Sequence, residues 1–310
     1  MPVIRVLAAG EQTTVQDLGR PGCAHMGVSA SGAADPLSLR LGNLLVGNPE
    51  NTSSLEMTAT GGVFEFDSDS LIALTGSDFQ ASMDGVRVPC WVPVAVKAGQ
   101  KLALGRTRGG ARCYLSVHGG IEVPLALGSA STHLRTGLGG HEGRALKEGD
   151  VLPIGAPPGQ ARAVQQVHPQ RALRWLDTRA VRVTPGPQAY WFSSESAEKL
   201  FREAAIVLAD SDRMSIRLSG VRLQPLRRDE MLTEGVSCGA LQVTEEGKVV
   251  ISFVEHQTTG AYPKFANVIT ADLPRLGQLK AGDAFRFQLV SFEEARAILR
   301  EQEAWIDSLV

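Results

Sequence analysis

At 310 residues the chain is long for one hydrophobic core and suits two domains of ordinary size. A 43% hydrophobic and 21% charged composition is that of a globular protein, and the 5% aromatic share leaves Val, Leu, Ile and Ala to fill the cores. The formal net charge is −2 and the basic residues are scattered, so the clustered Lys and Arg that track nucleic-acid phosphates are missing and no nucleic-acid partner is expected.

The N-terminus, Met1-Pro2-Val3-Ile4-Arg5, has no basic region running into an apolar stretch, so no signal peptide is expected. Asp35 is placed to cap a helix with Pro36 at its first position and Leu37, Leu41, Leu44 and Leu45 on one face before Gly47. Short strands follow: Gly62-Val63-Phe64-Glu65-Phe66, Leu71-Ile72-Ala73-Leu74 and Tyr114-Leu115-Ser116-Val117. Asp84-Gly85 joins Ala81-Ser82-Met83 to Val86-Arg87-Val88 as a hairpin, because both turn residues tolerate positive φ. Gly155-Ala156-Pro157-Pro158-Gly159-Gln160 and the polar stretch through Gln170 read as a linker. The boundary is placed near Arg171, giving domains 1–170 and 171–310. Beyond it, Ser193 or Ser194 opens a helix with Glu195 and Glu198 near its positive end and Leu200 and Phe201 inward. Ser291 and Glu294 form a capping box for a last helix carrying Phe292, Ala295, Ile298, Leu299 and Ile306. The pattern predicts a mainly β, two-domain protein with a few covering helices. No apolar run reaches the roughly 20 residues a membrane helix needs, so no membrane partner is expected and a cytoplasmic location is.

One turn occurs three times. Lys97-Ala98-Gly99-Gln100 leads into Lys101-Leu102-Ala103-Leu104, Lys147-Glu148-Gly149-Asp150 into Val151-Leu152-Pro153-Ile154, and Lys280-Ala281-Gly282-Asp283 into Ala284-Phe285-Arg286-Phe287. The recurrence is either a common turn met by chance or the mark of a duplicated barrel.

Several chemical signals fail on their surroundings. Gly235-Val236-Ser237-Cys238-Gly239 has the spacing of a nucleophile elbow, but Ala240-Leu241-Gln242-Val243 reads as strand where the elbow needs a helix. Gly137-Leu138-Gly139-Gly140-His141-Glu142-Gly143 has Glu142 where a dinucleotide loop needs Gly, and there is no G-x-x-x-x-G-K-[ST] loop for ATP phosphates. The four cysteines, Cys23, Cys90, Cys113 and Cys238, stand far apart without a C-x-x-C pair, and His141-Glu142 lacks a second His, so no metal is expected. None of the six methionines precedes a lysine, so no covalent biotin is expected on this chain.

What remains is a set of polar, glycine-rich segments: Thr13 to Arg20 with Gly27 to Asp35; His118-Gly119-Gly120-Ile121 with Gly128 to Thr132 and the glycine loop closing on Arg144; Ser211-Asp212-Arg213-Met214; and Gln257-Thr258-Thr259-Gly260-Ala261-Tyr262-Pro263. Arg20, Arg144 and Arg213 suit bidentate contacts to a carboxylate or phosphate, or else pair with the local Asp17, Asp150 or Asp212. Gln257, Thr258, Thr259 and Tyr262 offer the neutral donors and acceptors that an amide or ureido group needs, or else form a self-satisfied turn. Asp17, His118 and Asp212 are the candidate acids and bases, whereas Asp35 is better explained as a helix cap.

The order V-Q-D-L-G-R, S-G-A-x-D, L-V-G-N, G-G-I, G-S-x-S-T, G-R-x-L-K-x-G-D, D-R-M, Q-T-T-G-x-Y-P and A-D-L, from about Val3 to Val290, is similar to the allophanate hydrolase subunit two family. That family includes the C-type subunit of bacterial ATP-hydrolysing 5-oxoprolinase and the antagonist of the sporulation-kinase inhibitor, and it resembles one half of the carboxyltransferase region of urea carboxylase. The resemblance implies two cyclophilin-like β-barrel domains, a smaller B-type partner subunit of the same family with an A-type subunit beside it, and a small amide or lactam substrate. It implies 5-oxoproline hydrolysis with ATP used at the level of the complex, or biotin-linked carboxyl transfer, or a regulatory role against a kinase inhibitor. The chain departs from the family pattern at Ser215 and Ala261, where Gly is usual, and at Glu255-His256, where Asp-Arg or Asp-Ala is more familiar.

Overall fold

The structure, a computed structural model, describes residues 1–158, 164–226 and 231–310. Gly159 and Gln160 of the expected linker lie outside the described residues. The chain divides into two compact units, the first built from Met1–Arg20, Ser31–Leu173 and Ile306–Val310, the second from Pro21–Ala30 and Arg174–Trp305.

The first unit is made of two antiparallel sheets. A six-stranded sheet runs in the order Val151–Pro153, Val3–Ala8, Val63–Phe66, Lys101–Ala103, Ser82–Met83, Val86–Arg87. A five-stranded sheet runs in the order Gln12–Gln16, Ser54–Thr58, Arg112–Val117, Ser70–Gly76, Pro93–Val96. Their apolar faces share one core, with Ile4, Phe64, Phe66 and Leu102 from the first sheet meeting Val15, Leu55, Met57, Leu74 and Leu115 from the second. The far face of the five-stranded sheet is covered by the helix Pro36–Leu45, capped by Asp35, whose carboxylate accepts from the Ser38 N–H at 2.9 Å. Gly42 lets that helix sit close, because a Cβ there would stand 2.6 Å from Ser116 Oγ and 2.9 Å from Thr75 Oγ1. Arg112–Val117 is therefore buried on both faces and its sequence, R-C-Y-L-S-V, does not alternate.

The second unit holds a closed barrel in the order Ala180–Pro185, Lys264–Val268, Ala240–Val243, Lys248–Ser252, Ser215–Arg222, Ala205–Val207, Ala284–Leu289. The last strand closes it by pairing in parallel with the first, Ala180 opposite Arg286 and Val183 opposite Leu289. A separate ribbon pairs Glu234–Gly235 with Thr259–Gly260. The two expected helices form as Ser194–Arg202 and Phe292–Asp307. Ser193 accepts from the Ser196 N–H at 3.1 Å, and Ser291 and Glu294 exchange bonds of 2.7 and 3.1 Å. Two helices were not expected: Pro169–Trp175, which occupies the end of the polar stretch and contains Arg171, and Leu273–Gln278.

Asp84 and Gly85 have φ of 48° and 86°, and Ser82 pairs with Arg87 while Met83 pairs with Val86, so the hairpin forms as read. The three recurring turns are one structure. Gly99, Gly149 and Gly282 have φ of 83°, 91° and 87°. In each turn the N–H of the last residue donates to the carbonyl of the lysine (3.1, 3.2 and 3.0 Å), and the last side chain accepts from the lysine N–H (2.8, 2.9 and 3.1 Å). In each, the glycine N–H donates to a strand carbonyl, that of Phe66, Val6 or Val207, and the same strand residue donates back to the last residue of the turn. Two copies belong to the first unit and one to the second.

Candidate functional site

In the first unit the polar segments are stitched around Asp17. Its Oδ1 accepts from the Gly19 N–H at 2.7 Å, Ser129 Oγ at 2.7 Å and Ser131 Oγ at 2.5 Å, and its Oδ2 accepts from the Ala130 N–H at 2.7 Å. Arg20 is 1% exposed, and donates from Nε to the Ala126 carbonyl at 3.2 Å and from Nη2 to the Ser131 carbonyl. Gly32, at φ 88°, lies against the backbone of Leu18 and Gly19, where a Cβ would come within 2.8 Å. The loops around Asp17, Ser31 and Ser129 are thus one hydrogen-bonded body.

Arg144 grips Asp150 with both ends of its guanidinium, Nη1 to Oδ2 at 2.7 Å and Nη2 to Oδ1 at 2.9 Å, and reaches Glu142 at 2.6 Å. The Arg144 hydrogen bond is the main force holding the Asp150 carboxyl down at about 2, against the opposing effect of burial. His118 stands elsewhere, half-buried, with Nδ1 2.7 Å from the Val46 carbonyl. A carbonyl only accepts, so Nδ1 is the donor in this contact.

Sequence reasoning missed a third set in this unit. Glu56, 1% exposed, accepts from the Tyr114 hydroxyl at 2.6 Å and the Ala34 N–H at 2.8 Å, with Arg112 Nε 3.4 Å away. Tyr114 in turn accepts from the Asp35 N–H at 2.8 Å, and burial, reinforced by the Glu56 charge, pushes its phenol well above the ordinary range.

In the second unit, Asp212 turns the chain by accepting from the N–H groups of Met214 (2.8 Å) and Ser215 (3.0 Å). Arg213 is buried and donates from Nε to Glu255 Oε1 at 2.5 Å. Glu255 lies two residues before Gln257, so this pair brings the D-R-M segment beside the Q-T-T-G-x-Y-P segment. In the latter, the Thr258 carbonyl accepts from the Val236 N–H at 2.9 Å, Thr259 pairs with Gly235, and Gln257, Thr259 and Tyr262 are exposed. The His256 imidazole is lowered by burial, partly offset by its bond to the Gln257 carbonyl at 2.8 Å. The Cys238 thiol is pushed up to about 12, chiefly by burial. Ser237 donates to Asn267 Oδ1 at 3.3 Å and is followed by the strand Ala240–Val243 rather than a helix.

The second unit also holds residues no motif singled out. Lys264, only 4% exposed, donates from Nζ to Glu234 Oε1 at 3.0 Å. Gln188 donates from Nε2 to the same oxygen at 2.6 Å and accepts from the Lys264 N–H at 3.0 Å. The signal available in sequence was slight: a lysine following Pro263 reads as a solvent-facing turn residue.

Among the described residues no group of three or more His, Cys, Asp or Glu is placed to hold a metal ion, and no helix is long and apolar enough to cross a membrane.

The model of the carboxyltransferase domain, subdomains A and B, matches residues 26–289. The chain belongs to this carboxyltransferase domain family. It is 38% identical over 307 residues to the C-type subunit of 5-oxoprolinase from Escherichia coli, covering 99% of this chain and 97% of that relative. It is 35% identical over 308 residues to the corresponding 5-oxoprolinase subunit of Haemophilus influenzae, with the same coverage of 99% and 97%. Among solved structures, urea carboxylase of Kluyveromyces lactis superposes with a TM-score of 0.93 at 32% identity, over 99% of this chain and 29% of that one. The mainly β architecture with a closed barrel is thus shared with a family member of known structure.

Proposed function

We propose that the chain is a subunit of a heteromeric, ATP-dependent 5-oxoprolinase that opens 5-oxoproline to glutamate, active only with a smaller B-type subunit and an A-type subunit. The observation that carries this reading is the end-to-end match to the C-type subunit of the E. coli 5-oxoprolinase, 99% of one chain on 97% of the other. The lactam amide of 5-oxoproline resists attack by water. Transfer of the γ-phosphoryl group of ATP to the amide oxygen converts that oxygen into a leaving group. Water then adds at the carbon, the C–N bond breaks as the nitrogen takes a proton, and the acyl phosphate left behind is cleaved by a second water, which releases phosphate and the new carboxylate. The sequence has no G-x-x-x-x-G-K-[ST] loop, so in this reading ATP is held by another subunit or at a shared interface.

In this reading the segment Gln257 to Tyr262 presents its amide, hydroxyl and phenol groups to the lactam, and the Arg213–Glu255 pair sets its base. Asp17, with four donors on its carboxylate, and Arg20 and Arg144, engaged with carbonyls and with Asp150, hold the loops of the first unit. His118, oriented by its Nδ1 contact with the Val46 carbonyl, is the candidate base there, and Asp212 serves the turn that presents Arg213. The experiment is co-expression with the neighbouring subunits followed by an assay for glutamate, ADP and phosphate. Formation of all three from 5-oxoproline and ATP supports the reading. A complex that forms but leaves 5-oxoproline intact sinks it.

A second reading, the carboxyltransferase component of a biotin-dependent urea or related amide carboxylase, is favoured by the TM-score of 0.93 to the K. lactis urea carboxylase. In that case biotin arrives on another protein or domain, and bicarbonate becomes a required substrate.

A further inference from the structure

Burying an ammonium group is unfavourable unless its charge is paired and its N–H groups are bonded. Lys264 satisfies this only in part. Its side chain is 6% exposed, yet among the described residues its Nζ has one partner, Glu234 Oε1 at 3.0 Å. An ammonium carries three donors, so two remain for something else. Gln188 ties the Lys264 backbone and the Glu234 carboxylate together. Gln188 donates to the same Glu234 oxygen at 2.6 Å, accepts from the Lys264 N–H at 3.0 Å, and donates its own N–H to the Lys264 carbonyl at 3.2 Å. Glu234 begins the strand that pairs with Thr259–Gly260, so through Glu234 Lys264 is tied to the segment of neutral polar groups that ends at Tyr262.

The three arginines singled out in the sequence have protein partners: carbonyls for Arg20, Asp150 and Glu142 for Arg144, Glu255 for Arg213. Among the described residues, Lys264 is a buried cation beside the Gln257 segment whose ammonium has one protein partner, Glu234. We infer that Lys264 binds the carboxylate of an anionic substrate and that Glu234 and Gln188 position its ammonium. This rests on the 5-oxoprolinase reading and deepens it: 5-oxoproline carries a carboxylate next to its lactam, whereas urea carries none. The Gln257 segment then takes the amide and Lys264 takes the acid.

The test is calorimetric binding of two probes to the reconstituted complex, 5-oxoproline and the neutral lactam 2-pyrrolidinone, with wild type, Lys264→Met, Lys264→Gln and Lys264→Arg. The inference predicts that Lys264→Met weakens 5-oxoproline about 10- to 100-fold, the range for loss of a charged hydrogen bond, and leaves 2-pyrrolidinone within about twofold. Lys264→Arg keeps most of the preference for the acid. If Lys264→Met fails to assemble, Lys264→Gln, which still donates to Glu234, is read in the same way. Equal weakening of both probes would mean that Lys264 only ties the Gln257 segment to the barrel, and would overturn the inference while leaving the 5-oxoprolinase reading intact. Unchanged binding of 5-oxoproline would do the same. A wild-type complex that binds neither probe overturns the reading and the inference together.

Discussion

Arg213 donates to Glu255 at 2.5 Å with both side chains buried, and the Glu255 N–H returns a bond to the Arg213 carbonyl at 2.8 Å. Side chain and backbone thus close a small ring that carries the start of the Gln257 segment. Removing one partner of such a pair leaves the other charge buried. Glu255→Ala is expected to destabilise by about 3–5 kcal/mol in urea denaturation. The double change to apolar residues, Arg213→Met with Glu255→Leu, should cost markedly less. Equal costs for the single and double variants would contradict the assignment of an uncompensated buried charge.

Asp17 should be equally sensitive, for a different reason. Its carboxylate accepts four bonds from N–H and hydroxyl donors, and an amide in its place turns one acceptor into a donor facing other donors. Asp17→Asn should cost at least about 2 kcal/mol, which amounts to one or two buried bonds broken. A variant as stable as wild type would show that the loops around Ser31 and Ser129 hold without it.

The Arg144–Asp150 pair predicts a pH signature. The Asp150 carboxyl is lowered from 3.8 to about 2 in the folded protein, mainly by its bond to Arg144. A depressed acid contributes its full stability above the unfolded value of 3.8 and loses it as the pH falls through about 2. The shift corresponds to about 2 kcal/mol. Arg144→Met should therefore be less stable than wild type by roughly that amount at pH 7, and the gap should narrow from pH 4 downwards. A gap that stays constant to pH 2 would place the cost in lost packing instead.

The three shared turns give a matched set. Gly99, Gly149 and Gly282 have positive φ and open space where a Cβ would go, so substitution by Ala meets backbone strain and no clash. Each Gly→Ala variant should cost about 1–2 kcal/mol, and Asn, which tolerates this conformation, less. Three very different penalties in thermal denaturation would mean that the turns are alike in shape only.

Those turns show how much of the fold was legible in the sequence. A turn, a capped helix or a hairpin depends on residues within four or five positions, so Asp35, Ser193, Ser291 with Glu294, and Asp84-Gly85 could all be read. The helices Pro169–Trp175 and Leu273–Gln278 escaped because each is barely two turns long, too short for a periodic face to emerge. Glu56 escaped because Leu55-Glu56-Met57 reads as a half-exposed strand, while the helix Pro36–Leu45 covers the face the sequence leaves to water. Lys264 escaped for a related reason: its burial comes from a ribbon that starts 30 residues earlier, at Glu234. Of the local pairings open to the candidate arginines, that of Arg144 with Asp150 forms, but Arg213 pairs with Glu255 across the barrel strands rather than the adjacent Asp212, and no local rule points to a partner 42 positions away.

The most direct test of the account is turnover by the purified complex of this chain with its neighbouring subunits, supplied with 5-oxoproline and ATP, without bicarbonate and with avidin present. The account predicts glutamate, ADP and phosphate in equal amounts, unaffected by avidin. Turnover of urea or a related amide that needs bicarbonate and stops on addition of avidin would contradict it and assign the chain to carboxyl transfer.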